Sequence, residues 1–136
     1  MTREIFWLTM TVVLTGLLWV PYMVDRIRIR GLMGAMDNPK AKAKPQSAWA
    51  QRLYFAHTNA VDNLVLFAPL VLILDSRNIS TTMTATTCAV YFWARLVHAL
   101  SYALGIKVAR TVSFIVGWVA CAVLVALIFR IVPEAG

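Results

Sequence analysis

Two runs of polar and ionisable residues stand inside otherwise apolar sequence, and chemistry is to be sought there first. One holds Arg52, His57, Asn59, Asp62 and Asn63; the other holds Arg95, His98 and Tyr102. Cations beside a carboxylate, an imidazole and a phenol can bind an anionic ligand, move a proton or stabilise a reacting anion. One carboxylate and two scattered histidines lack the ligand spacing of a zinc site, so no metal is expected. On a helix, Arg52, Asn59 and Asp62 fall on one stripe, and Arg95, His98 and Tyr102 fall on another. Each residue also has a purely structural reading: an ion pair joining two helices, a hydrogen-bonded core histidine, an interfacial tyrosine. Their shared stripes, with Arg52 and Arg110 near one mouth, point to a polar cavity opening toward the cytoplasm.

The elements that must position these residues are four apolar segments, at about 5–24, 52–74, 80–105 and 111–132. Each approaches the roughly 20 residues that cross about 30 Å of hydrocarbon. Short connections favour an all-α, up-down-up-down bundle of four transmembrane helices. Asp62 lies about 15 Å beyond Arg52 in the second span and Arg95 about 18 Å before Lys107 in the third, at helical rise. Similar depth on antiparallel neighbours predicts a buried Asp62–Arg95 ion pair, with Asn59 adding hydrogen bonds. Pro69 is expected to kink the second span. The threonines between Thr81 and Thr87 read as hydroxyls bonded to their own helix backbone.

Composition sets the solvent. Of 136 residues, 60% are hydrophobic and 14% charged, and the mean hydropathy is +0.72. Such a chain cannot cover its apolar surface with polar side chains, so a bilayer is its solvent. The net charge of +7 is concentrated between spans rather than spread over a surface, which argues against nucleic acid. Arg26, Arg28, Arg30, Lys40, Lys42 and Lys44 lie in a polar loop expected over 25–51, and Lys107 and Arg110 in the third connection. Both connections share a side, and the positive-inside rule makes it cytoplasmic, with both termini outside. The Lys40–Lys44 run is either a solvated loop or a site for anionic headgroups. Cys88 and Cys121 sit in apolar runs as small hydrophobes. The run from Ile5 is too long for a signal peptide and lacks a small-x-small cleavage site, so it reads as a retained helix.

The segment Gln51-Arg52-Leu53-Tyr54-Phe55-Ala56-His57-Thr58-Asn59-Ala60-Val61-Asp62 resembles the second-helix signature of the MAPEG superfamily, E-R-x-x-R-A-H-x-N-x-x-E. These are membrane-associated proteins in eicosanoid and glutathione metabolism. Arg52, Ala56, His57 and Asn59 match, and Asp62 stands where glutamate is usual. Ala94-Arg95-Leu96-Val97-His98 with Tyr102 resembles the family's third-helix A-R-x-x-H-x-x-x-Y; Asn38-Pro39 and Arg110 also fit.

The resemblance implies a homotrimer of four-helix protomers, with glutathione held between protomers near the cytoplasmic face. Asn59, Asp62, His98, Tyr102 and Arg110 would line that site, with Arg30 in addition. Arg52, Arg95 and Thr111 complete the expected ligand-binding set. Arg110 and Tyr102 would be catalytic, holding the thiol as thiolate, and lipophilic electrophiles would arrive through membrane lipid. Three departures count against this chemistry: Phe55 and Thr58 replace arginines, and Phe114 replaces a tyrosine. Thr111 stands where a serine can occur. Two functions follow as expectations: a glutathione-dependent transferase or peroxidase, or a non-catalytic lipid-binding scaffold whose polar core serves assembly. A short chain without a retrieval signal points to a bacterial inner membrane.

Overall fold

In the computed structural model, which describes residues 1–131, the chain is all helical: α1 (Arg3–Leu17), α2 (Trp19–Met36), α3 (Ala48–Ser76), α4 (Thr82–Leu104) and α5 (Lys107–Ile131). α1 and α2 form one rod from Arg3 to Met36 that is long and apolar enough to cross a membrane, as are Ala48–Ser76 and Lys107–Arg130. The irregularity at Leu18 has a local cause. Pro21 has no N–H to donate to the Leu17 carbonyl, and Leu18 shares its own N–H between Leu14 and Thr15. α4 is comparable in length, but Arg95, His98, Ser101, Thr84 and Thr87 are buried along it. These polar groups face the bundle, not lipid.

Contacts between rod ends set the direction of each helix. Thr2 Oγ1 donates to Asp75 at 3.2 Å, and Glu4 meets Thr84, joining the start of α1 to the end of α3 and the start of α4. At the opposite end Arg52 reaches the Ala103 carbonyl, and His98 that of Arg110. The rods therefore alternate up and down. One apolar core packs Leu8, Phe67, Val71, Leu74, Tyr91 and Leu124, with the Phe67 and Tyr91 rings stacked at 3.8 Å. A second packs Tyr22, Ala50, Leu53, Ala56 and Ala99, where small residues bring α3 and α4 close.

The termini of α4 follow from its sequence. Thr81 and Thr84 form a reciprocal capping box at the start. Gly105, at φ 78°, ends the helix, and Ile106 N–H closes on the Ser101 carbonyl at 2.8 Å.

The polar loop expected over 25–51 is shorter in the structure. α2 continues through Arg26, Arg28 and Arg30 to Met36, leaving 37–47 between helices. Charge does not end a helix that has left the hydrocarbon, and the part of the first rod before Gly31, Arg3–Arg30, spans about 42 Å at helical rise against a core of about 30 Å. Gly31 interrupts it instead, at φ 70° and ψ 167°. Only glycine adopts that conformation without strain. Gly31→Val is expected to lose about 1–3 kcal/mol of unfolding free energy in mixed micelles. No atom lies within 4 Å of the added Cβ, so a smaller loss would mean that the backbone relaxes there.

Candidate functional site

The basic end of the bundle gathers the candidate residues. Arg110 lies in the first turn of α5, where a cation opposes the helix dipole. Its side chain leaves the helix and lies over the Tyr102 ring, with Cζ 4.6 Å from the ring centroid. His98, one turn before Tyr102, bonds through Nδ1 to the Arg110 carbonyl at 2.9 Å. A carbonyl only accepts, so Nδ1 carries the proton and Nε2 is left as an acceptor. That Nε2 is buried without a protein partner. The His98 ring also packs edge-on to Tyr102 at 5.7 Å and against Phe114 at 5.9 Å. Phe114 thus takes up apolar packing where a tyrosine hydroxyl is usual in the resemblance.

Arg52, at the start of α3, donates Nε to the Ala103 carbonyl at 2.9 Å. Its side chain passes 3.6 Å from where a Cβ on Gly105 would stand, an ordinary van der Waals contact. Among the described residues the one ion pair joins Lys40 to Asp37. Among the described residues Arg52 and Arg110 therefore have no carboxylate partner. Arg30 is placed differently: its Nε holds the Lys44 carbonyl at 2.7 Å and ties α2 to the following loop.

The expected Asp62–Arg95 pair does not form. Arg95 is 3% exposed and donates Nη2 to Asn59 Oδ1 at 2.5 Å. Asp62 lies on the exposed face of α3. The angle decides: Asp62 is rotated about 60° around the helix from Asn59 at ~100° per residue. Nε and Nη1 of Arg95 are buried without a protein partner. Space for the guanidinium comes from α5, where Gly117 presents no side chain 3.5 Å from Arg95 Cδ. Thr111 is exposed and bonds only the Lys107 carbonyl at 3.0 Å, so it stands apart from the cluster. Phe55 and Thr58 are also exposed, and Thr58 back-bonds Tyr54.

Three polar contacts escaped the sequence reading. Glu4 is 1% exposed and accepts from Thr84 Oγ1 at 2.5 Å and Ser80 Oγ at 2.9 Å. An acid at the edge of an apolar run was the available signal. Asp25 is buried and binds the Ser47 N–H and hydroxyl at the start of α3. His57 Nδ1 meets Tyr22 Oη at 2.9 Å.

An apolar groove of about 430 Å³ runs along the α4–α5 seam, lined by Val90, Trp93, Ala94, Val97, Val112 and Val116. Ser113, on its wall, bonds the Ala109 and Arg110 carbonyls. The groove therefore adjoins the backbone that carries the His98 contact, and it is dry enough to take a hydrocarbon chain.

No curated protein matches this chain. A model of the MAPEG family does match, over residues 5–130, and so includes every helix of the bundle and every residue of the basic cluster. On that match, and on the helices that carry its motifs in order, the chain belongs to the MAPEG family of membrane proteins.

Proposed function

We propose that this chain binds glutathione at its basic end and transfers its glutathionyl group to lipophilic electrophiles that reach it through the bilayer. The supporting observation is Arg110, held over Tyr102 and without a carboxylate partner among the described residues. A guanidinium so placed favours the thiolate over the thiol. The thiol proton leaves to water, a C–S bond forms, and the bond to the leaving group breaks. With a lipid hydroperoxide, two glutathiones would instead be oxidised to the disulfide while the hydroperoxide is reduced to alcohol and water. Arg52, whose Nε alone is engaged among the described residues, would bind a carboxylate of the peptide. The lipophilic partner would lie in the α4–α5 groove.

The assembly we propose is a homotrimer. Asp62 is exposed midway along α3 between exposed Val61, Val65 and Leu66, and a carboxylate there needs a polar partner that lipid does not supply. The basic end faces the cytoplasm, with the N-terminus opposite, in a bacterial inner membrane. Phe55 and Thr58 favour a second reading, a non-catalytic lipid-binding scaffold, because they remove two cations from the binding helix.

Conjugation of glutathione to a chloronitroaromatic, followed by absorbance in proteoliposomes, tests the enzyme reading. Arg110→Ala is expected to lower the rate about 10²-fold, in the range found for loss of a group stabilising a reacting anion. Tyr102→Phe keeps the ring beneath Arg110 and should cost about tenfold or less. Wild-type protein that binds glutathione without turnover would favour the scaffold.

A further inference from the structure

Beyond Gly31, α2 turns away from its own axis and presents apolar side chains that nothing in the protomer covers. Leu32 is 61% exposed, Met33 77% and Met36 66%. The loop that follows carries Lys40, Lys42 and Lys44, all exposed. It is pinned rather than free: Arg30 holds the Lys44 carbonyl, Gln46 donates to the Tyr22 carbonyl at 2.6 Å, and Ser47 is bound to Asp25. The acidic groups of this region are engaged as well, Asp37 by Lys40 and Asp25 by Ser47. Arg28, Lys42 and Lys44 therefore keep their side-chain donors unengaged among the described residues. A recess of about 350 Å³ lies between Met33, Gly34, Met36 and Asp37.

We propose that the Gly31–Lys44 segment seats an anionic phospholipid, its phosphate bound by Lys42, Lys44 and Arg28 and its acyl region packed on Leu32, Met33 and Met36. The juxtaposition selects this occupant. A soluble anion would use the cations and leave the apolar side chains in water, and a zwitterionic lipid would gain less from unengaged positive charge because its own ammonium offsets its phosphate. Depth agrees, because the first rod exceeds the hydrocarbon thickness and delivers this segment to headgroup level. Lysine stems can lie along the apolar surface while their ammonium groups reach the phosphate. Each cation near an anionic surface contributes about fivefold in affinity.

The full chain is purified with mixed phosphatidylglycerol and phosphatidylcholine, and retained lipid is counted by native mass spectrometry. Wild-type protein is expected to retain phosphatidylglycerol in preference to phosphatidylcholine. The K40A/K42A/K44A variant should lose at least about tenfold of that preference at low salt, and Lys42→Glu should lose part of it. Leu32→Ser with Met33→Ser should also weaken retention, with charge unchanged. Helical circular dichroism is expected to stay the same in all variants, since every altered side chain is exposed. Equal retention by wild-type protein and the K40A/K42A/K44A variant would overturn the proposal. So would displacement of the lipid by excess inorganic phosphate together with full retention in the Leu32/Met33 variant, which would reveal a soluble-anion site. Glutathione binding is unaffected by either outcome, so the test stands apart from the proposed activity.

Discussion

Asn59→Leu is expected to destabilise the protomer by about 3–5 kcal/mol, close to the whole stability of a small domain. Asn59 Oδ1 is the protein acceptor for Arg95, whose remaining nitrogens are already buried without partners. Removing it strands a cation in the bundle, and the cost is that of an uncompensated buried charge rather than of one hydrogen bond. Removing both partners should behave differently. Asn59→Leu with Arg95→Met replaces the polar pair by apolar side chains and is expected to recover to within about 1–2 kcal/mol of wild type. Reversible unfolding in mixed micelles measures all three proteins, and the sign of the coupling decides. Additive losses in the double variant would show that Asn59 does not compensate Arg95. Asp62→Asn is expected to change the protomer's stability by less than about 1 kcal/mol, because Asp62 is exposed and makes no contact with Arg95.

The second large effect lies at the opposite end. Glu4→Ala is expected to cost about 2–4 kcal/mol, the scale of a buried polar group left unpaired plus a small cavity. The Glu4 carboxyl accepts two hydroxyl hydrogen bonds where the start of α1 meets the Ser80–Thr84 turn. Glu4→Gln keeps one acceptor oxygen and should recover much of the loss. Thr84→Val removes the donor to Glu4 and the half of the capping box in which the Thr81 N–H donates to Thr84 Oγ1, so it should match or exceed Glu4→Ala. Hydrogen exchange gives the local readout. Protection should fall first at Glu4–Leu8 and at Thr84–Cys88, with α5 little changed. Uniform loss across all helices would contradict a local latch.

The four rods were legible because hydropathy and punctuation agree: Asn38-Pro39, Asn78 and Gly105 fall where helices stop. The basic cluster was legible as a stripe, since Arg95, His98 and Tyr102 recur at helical spacing and two of them meet Arg110 or its carbonyl. The extent of the first connection was not. Arg26, Arg28 and Arg30 look like loop residues by charge, yet a helix outside the hydrocarbon tolerates them, and backbone geometry at Gly31 interrupts it. Arg95 pairs with Asn59 rather than Asp62 because the two lie at neighbouring depths and only rotation around the helix separates them, which spacing along the sequence fixes poorly. Glu4 was hidden for another reason: its partner is 80 residues away, and no local pattern links an acid on one span to a threonine on another. The His98–Arg110 contact uses a backbone carbonyl, which no side-chain motif encodes.

Capture of a thiol peptide by the unpaired cations of the basic end is the centre of this account, and calorimetric titration of glutathione into the protein in phospholipid nanodiscs tests it most directly. Saturable heat at millimolar glutathione is the predicted result, abolished by Arg110→Ala and retained when Lys40, Lys42 and Lys44 are replaced by alanine. No heat with the wild-type protein, or equal heat with Arg110→Ala, would contradict it.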